Sequence, residues 1–550
     1  MRETPWPADN EPSTTWPIYT RGNVGEVYPD VVLPLEWDLG GLASERGWRV
    51  GAETVGFATE KDYGPGDFVV IGVFGGYAYF NASLMRLLGV RTPGLDVSVI
   101  DDQFLGDADV PGYTPSPGDR NLRATLTVVR TAVRTMLAKR VPLVDEMRRR
   151  VDVYRAAAPS LDAPDEELWG YIKDGLAGSD GLWEFLIGSH VINTMQTTIA
   201  AGNLTDFCEK HLGDPDAALS LITGVGDVVS AQPAKEMWRL ANDTSVQEFD
   251  GAFARFLEQY GHRGPNEFSL AGRDWAAYPD VATAAIDTMR GVDPERSPVA
   301  QQARMAADRE AATAAAKARV GRRGRALDRA VNATILWSRA REESKDQVIR
   351  GNQLSRHAFL ELLRRARENG GVADTIGPML LQEDEFLAYL EDPAAVVPVI
   401  ESRRAAYEHL RGLEPPFAFD HTAGGVPPVS TWAPRRTEGP AVATDEVLEG
   451  AAGAPGVATG TARVILDPAD PAGLGPGDVL IAPHTDPSWT PLFVPAAAVV
   501  VEVGAAMSHS MIVSRELGIP CVVGVVDATL RIPDGALVEV DGGTGQVRLL

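Results

Sequence analysis

Residues 498–526 read AVVVEVGAAMSHSMIVSRELGIPCVVGVV. The apolar run 498–503 has the length and composition of a mostly buried strand. Gly504, Ala505 and Ala506 form a tight turn of small residues. Ser508 is a good N-cap for a helix that continues through Leu517. Gly518 suits the C-terminal cap and Pro520 stops the helix. Cys521, Val522 and Val523 then begin another strand. The pattern is strand, turn, helix, strand, and it places His509 in the first turn of the helix.

That position has chemical consequences. First-turn N–H groups lack intrahelical partners and the helix dipole is positive there, so an anionic group is stabilised. An imidazole with its ordinary pKa of ~6.5 is largely neutral near pH 7 and is then a competent nucleophile for a phosphoryl group. A histidine that merely opens a helix in an α/β domain reads the same way. The residues of this segment alone leave both readings open.

Further strand-like runs at 462–466, 478–482 and 536–540, punctuated by Gly and Pro, group with this unit. Residues 451–550 therefore read as a small α/β domain. The segment 413–450 contains Pro415-Pro416, Gly424-Gly425, Pro427-Pro428 and Pro434 without sustained periodicity, and is expected to be a flexible linker. Residues 1–412 are expected to form one larger body. Its first hundred residues read as irregular with short strands, such as the run at 68–73. From about 120 onward helical spacing dominates, at 123–151, 217–240, 245–260 and 299–367. The expected fold is multidomain: a large, mainly α-helical domain, α+β at its N-terminus, followed by the small α/β domain.

Composition limits what such a chain can do. With 550 residues, three or four domains are expected at roughly 100–200 residues each. A 44% hydrophobic and 23% charged sequence can bury proper cores. The net charge of −25 argues against nucleic acid or an anionic membrane as a general partner. Two cysteines, Cys208 and Cys521, suggest reduced thiols in a cytoplasmic protein. The N-terminus has no signal-peptide core and no run is long enough to span a bilayer. His211, His357, His409, His421 and His484 have no partner spacing for a metal site.

Several polar groups lie in the helical body. Arg341 and Lys345 are four apart and share a helix face. Two such cations can hold the oxygens of a phosphoryl group in flight, or can form a solvated face paired with Glu342 and Asp346. His262, Arg263 and Glu267 sit at a corner marked by Gly261 and Gly264-Pro265. They can line a pocket and supply a general base, or hold two helices together as a buried ion-pair corner; Arg263 is read as structural. Glu26 is a further candidate for a site, whereas Trp37 reads as core. The run containing Trp183, Phe185, His190 and Met195 reads as a core stripe and less readily as an acceptor pocket.

Gly504 to Gly524 resembles the swivelling phosphohistidine domain of the phosphoenolpyruvate-utilising enzymes, among them phosphoenolpyruvate synthase, pyruvate phosphate dikinase and rifampin phosphotransferase. The motif is a Gly-Gly turn, two residues, Ser-His, a short apolar helix, Ala-Arg-Glu, Gly-Ile-Pro and Val-Val-Gly. Here Ala505 replaces the second glycine and Ser514 the alanine. Supporting matches run from Pro455 to Gly460 and from Thr485 to Pro491. The resemblance implies that His509 accepts the phosphoryl group, with Ser508 and Thr485 as neighbours of the phosphate. Three blocks are similar to the substrate-binding domain of rifampin phosphotransferase: Thr20 to Pro29 followed by Pro34 to Trp37, Tyr260 to Glu267 with Arg273 to Trp275, and Arg341 to Lys345. In that family the residues matching Arg341 and Lys345 lie near the acceptor hydroxyl.

No Gly-x-x-x-x-Gly-Lys-Ser/Thr loop occurs, and no ATP-grasp domain is expected ahead of residue 15. The layout resembles the phosphohistidine subunit of two-component phenylphosphate synthases, including the 4-methylphenol-phosphorylating system. It implies a separate ATP-grasp subunit that carries ATP and Mg2+, no cofactor or metal on this chain alone, and a small phenol or alcohol as acceptor, with AMP and phosphate as co-products. A split antibiotic phosphotransferase and a phosphocarrier or regulatory module without acceptor chemistry are the alternatives.

Overall fold

The computed structural model describes residues 5–106, 108–178, 181–225, 228–243, 245, 247–436, 446–471, 473–503 and 508–550. They form two compact units. One comprises 1–199, 268–271 and 347–435; the other comprises 200–267, 272–346 and 436–550. Both are multi-segment, so the expected division at 412 and 450 is not the one the contacts make. Helical residues of the expected N-terminal body cluster with the C-terminal sheet.

The first unit contains a four-stranded antiparallel sheet in the order Ile71–Phe74, Tyr77–Asn81, Ile18–Thr20, Ala418–Asp420. Its edge strand comes from the segment expected to be a linker. That segment is folded as far as residue 435. Phe419 packs on Tyr19, Phe74 and Tyr79, and Trp432 is buried against Tyr77. Burial of these rings outweighs the disorder suggested by the Pro and Gly content. Residues 437–445 of the expected linker lie outside the described residues.

Helices also occupy the N-terminal stretch expected to be irregular, notably Leu42–Val55 and Ala82–Arg91. In the second of these nearly every side chain is buried, which erases the one-sided periodicity that signals a helix. The helical run expected at 123–151 is two helices, Leu122–Leu137 and Pro142–Ala156, because Pro142 starts the second at its first turn. Trp37 and Trp183 belong to the apolar core; Trp183 Nε1 donates to Ser44 Oγ at 2.9 Å. Phe185 and Met195 pack against that core, as a core stripe requires.

In the second unit, an eight-stranded sheet runs in the order Val447–Glu449, Gln546–Leu549, Leu537–Asp541, Val457–Val464, Val479–Ala482, Ala498–Val501, Cys521–Val523, Ala451–Ala454. The strands from Val457–Val464 to Cys521–Val523 are mutually parallel. Val479–Ala482 and Ala498–Val501 are buried along their whole length, as central parallel strands covered on both faces must be. Alternate side chains divide between two cores. Val479, Ile481, Ala498 and Val500 enter one with Val538, Val540 and Val547. Leu480, Ala482, Val499 and Val501 enter the other with Trp489, Leu492, Phe493, Met511 and Leu517. This second core continues into Met237, Trp238, Phe256, Trp275 and Met289 from the helices Gln232–Asn242, Phe249–Tyr260 and Pro279–Thr288 and their loops. That shared core explains why these helices cluster with the sheet.

Candidate active site around His509

The helix His509–Leu517 begins where its sequence says it should. Ser508 is the N-cap, with φ −66° and ψ 157°, the extended backbone that a cap requires. Its hydroxyl does not close the cap; it lies 3.1 Å from Ser510 Oγ. Gly518 ends the helix in the left-handed region at φ 63°, and Ile519 N–H returns to Ser514 O at 3.0 Å. Arg515 Nε donates to Gly453 O at 2.7 Å and ties the helix to the edge strand Ala451–Ala454. The expected turn of small residues, 504–507, lies outside the described residues.

Two threonines bracket the imidazole. His509 Nδ1 is 3.3 Å from Thr485 Oγ1 and Nε2 is 3.2 Å from Thr490 Oγ1. Both threonines are buried. They lie beyond Val479–Ala482, in a segment shaped by Asp486, which accepts from the Ser488 N–H at 2.7 Å and from its hydroxyl at 2.5 Å. The Phe493 ring meets the imidazole edge-on, with centroids 6.0 Å apart. Burial holds the His509 pKa well below 6.5, and the positive charges of Lys345, Arg263 and Arg341 depress it further. His509 is therefore a neutral base at physiological pH, with a lone pair on one nitrogen.

Those three cations form a cluster with buried acids. Arg263 follows the helix Phe249–Tyr260, at a corner closed by Trp275 N–H to Arg263 O at 2.8 Å and Ala276 N–H to Gly261 O at 2.9 Å. Gly264 has φ 155°, and a Cβ there would stand 2.2 Å from Arg273 O, so the corner needs a glycine. Arg263 Nε lies 2.9 Å from Glu267 Oε2, and its Nη1 lies 3.5 Å from Asp346 Oδ1. Asp346 also holds His262, whose Nε2 is 2.7 Å away. Lys345 Nζ is 4.0 Å from Glu267 Oε1, and Arg341 Nε is 4.0 Å from Glu342 Oε1.

Burial sets the protonation of this cluster. It raises the Glu267 pKa to about 7, although Arg263 and Lys345 oppose the rise. Burial lowers the Lys345 pKa against the pull of Glu267 and Glu342. It also acts to lower that of Arg263, but Glu267 and Asp346 outweigh it and the guanidinium stays charged.

The structure thus brings His509, Thr485, Ser508, Arg341, Lys345, Glu267 and His262 into one unit. His262 is buried on Asp346, and Glu267 is both a partner of Arg263 and a neighbour of Lys345. Glu26 belongs to the other unit, and its side chain lies outside what the structure describes. Sequence reasoning missed Thr490 and Asp486, read Asp346 as a partner on a solvated helix face, and leaned to a structural role for Arg263. Thr490 was within reach, since it stands in the Thr485 to Pro491 block. Nothing local marked Asp346 as the acid that goes inside. Among the described residues, no group of three or more His, Cys, Asp or Glu side chains could hold a metal ion.

An imidazole thus stands at the head of a helix, beside the parallel centre of a mixed sheet and in the field of clustered cations. Residues 474–545 match the family described as PEP-utilising enzyme, mobile domain. Residues 242–343 match the Rifampicin phosphotransferase fourth domain, a stretch that takes in Arg263, Glu267 and Arg341. In these two stretches the chain is similar to the PEP-utilising, rifampicin phosphotransferase-like enzymes.

Among its relatives is a rifampicin phosphotransferase of Streptomyces sviceus, 28% identical over 68% of this chain and 42% of that protein. An uncharacterized protein of Mycobacterium tuberculosis is 32% identical over 58% of this chain and 33% of its own length. The prodigiosin synthesizing transferase PigC of Serratia marcescens is 31% identical over 54% of this chain and 33% of its own length. The chain thus matches between a third and about two fifths of the length of these relatives.

Proposed function

We propose that this chain carries a phosphoryl group on His509 and delivers it to the hydroxyl of a small phenol or alcohol. The observation that supports this most directly is the neutral imidazole of His509 within the field of Lys345, Arg263 and Arg341. A neutral ring nitrogen can attack phosphorus, and fixed cations stabilise the charge on a phosphoryl group as it transfers.

The first half-reaction takes the phosphoryl group from ATP on an ATP-grasp partner that binds Mg2+. A P–N bond forms between His509 and the β-phosphorus as the α–β P–O bond of ATP breaks and AMP leaves; water then cleaves the β–γ bond, releasing phosphate and leaving the β-phosphoryl group on His509. In the second half-reaction the acceptor oxygen attacks phosphorus and the P–N bond breaks. The acceptor proton passes to a base, for which Glu267, with its pKa near 7, is poised. Arg341 and Lys345 neutralise the phosphoryl oxygens. Thr485 and Thr490 orient the ring, and Ser508 lies at the helix head beside the phosphate. Between half-reactions the histidine domain swivels from donor to acceptor.

A second reading is favoured by the relatives named rifampicin phosphotransferase. In it the acceptor is the hydroxyl of a larger antibiotic. The chemistry at His509 is the same and only the acceptor differs.

The test is a two-step labelling assay. The full chain is mixed with an ATP-grasp protein encoded beside it and with ATP labelled in the β-phosphate. Acid-labile label is expected on the wild type and not on His509→Ala. Phenol, 4-methylphenol and rifampicin are then added separately, and the acceptor is the compound that discharges the label. Label retained on His509→Ala overturns the reading. Label that no hydroxyl compound discharges leaves only a phosphocarrier.

A further inference from the structure

The helix Leu122–Leu137 plays no part in the chemistry above, and its two faces differ sharply. Ala124, Val128, Thr131 and Thr135 are buried against the first unit. The helix packs there on Leu42–Val55 so closely that a Cβ at Gly56 would stand 2.6 Å from Thr127 Cβ. Leu122, Leu126, Val129, Val133 and Leu137 point the other way, with exposures from 41% at Val129 to 75% at Leu122. At 3.6 residues per turn these five fall within an arc of about 80°. They make a continuous apolar stripe four turns long, spaced like the seam of a coiled coil. Isolated exposed apolar side chains are ordinary, but a contiguous stripe marks a surface that is covered in use.

Charge says what covers it. Residues 120–140 contain Arg120, Arg123, Arg130, Arg134, Lys139 and Arg140, and not one Asp or Glu, in a chain of net charge −25. None of these six cations forms an ion pair among the described residues. Arg123, Arg130 and Arg134 lie along one edge of the stripe, whereas the other edge carries the uncharged Thr125, Ala132 and Met136. A helix lying on a membrane spreads its cations to both sides of the apolar face, and the acidity of the whole chain opposes an anionic surface. Self-pairing of the helix sets arginine against arginine when antiparallel, or against neutral residues when parallel. Neither arrangement provides the counter-charge.

We infer that Leu122–Leu137 is a docking face for an acidic amphipathic helix of a partner protein, whose leucines pack on the stripe and whose carboxylates face Arg123, Arg130 and Arg134.

The test uses the full chain and two synthetic helical peptides with leucine at the seam positions of each heptad, one flanked by glutamates and one by lysines. Titration calorimetry is expected to show binding of the glutamate peptide, weakened by added salt, and none of the lysine peptide. Arg123→Glu combined with Arg130→Glu should weaken it about tenfold or more, equivalent to ~1.4 kcal/mol. Leu126→Ser with Val133→Ser should abolish it. All four positions are exposed, so melting temperatures should match the wild type and exclude misfolding. Equal binding of both peptides, or no binding of the glutamate peptide tighter than about 1 mM, overturns the inference. So does binding to phosphatidylglycerol vesicles in place of the peptide, or a dimer in sedimentation that Leu126→Ser dissociates.

Discussion

Thr490 Oγ1 stands 3.2 Å from His509 Nε2 and shares the imidazole with Thr485 on the opposite nitrogen. A neutral imidazole donates from one nitrogen and accepts at the other, and a hydroxyl can do either, so the two threonines hold the ring plane in whichever tautomer is present. Thr490→Val keeps the shape and removes one hydroxyl. It should slow phosphorylation of His509 by roughly tenfold, at the low end of what positioning groups contribute. The readout is the initial rate of label uptake, with the circular dichroism spectrum and melting temperature unchanged. An unaltered rate would show that Thr490 does not orient the ring.

Of the three cations that add to burial in lowering the His509 pKa, Lys345 has the largest effect. Replacing it with methionine should raise that pKa toward its ordinary 6.5, as followed by NMR titration of the ring. The folded pKa lies below the unfolded one, so the stability contributed by neutral His509 is present above pH 6.5 and is lost as pH falls. Lys345→Met should soften that acid-side loss. It should also slow discharge to the acceptor by about a hundredfold, the scale seen when an electrostatic stabiliser is removed. Uptake of label should change much less.

The histidine helix was legible because its signals are local. Ser508 before the helix, Gly518 and Pro520 after it, and the apolar run ahead of it all act within a turn or two, and the strand, cap and stop fall where they point. The cluster facing His509 was only half legible. Arg341 and Lys345 share a helix face and can be read together. The pairing of Asp346 with His262 and Arg263 joins residues more than eighty positions apart, and nothing local distinguishes Asp346 from Glu342 or Glu343. The edge strand Ala418–Asp420 was hidden for a different reason: three residues among prolines and glycines carry no periodicity, and Phe419 joins the core only once Ile18–Thr20 is in place.

Asp346 is buried between His262 Nε2 at 2.7 Å and Arg263 Nη1 at 3.5 Å. Asp346→Ala leaves the guanidinium with one buried carboxylate where it had two, and leaves His262 Nε2 without this partner. Removal of one member of a buried charged pair costs about 3 kcal/mol or more. Urea unfolding should register that loss as a lower midpoint. Asp346→Asn, which can still accept from His262, should lose less. Equal losses would mean that charge, and not the packing or the acceptor oxygen that Asn retains, is what Asp346 supplies.

Glu516 lies in the last turn of the histidine helix and is half-buried. Burial raises its pKa to about 7, while the Gly224 N–H and the charges of Lys235 and Arg309 oppose the rise. The folded state therefore holds this proton between the ordinary carboxyl value of 4.5 and about 7, where the unfolded chain has released it. The stability contributed by the protonated carboxyl is full below pH 4.5 and is lost as pH rises through 7. Glu516→Gln carries no charge at any pH, and its amide oxygen can still accept from Gly224. The melting temperatures of wild type and variant should coincide near pH 4.5 and diverge upward in pH, with the variant the more stable at pH 8. Glu267, also shifted to about 7, adds a slope of the same sign to both proteins, so only the difference between them isolates Glu516. A difference that does not change with pH would place the Glu516 carboxylate in water, paired with Lys235 or Arg309 and not desolvated.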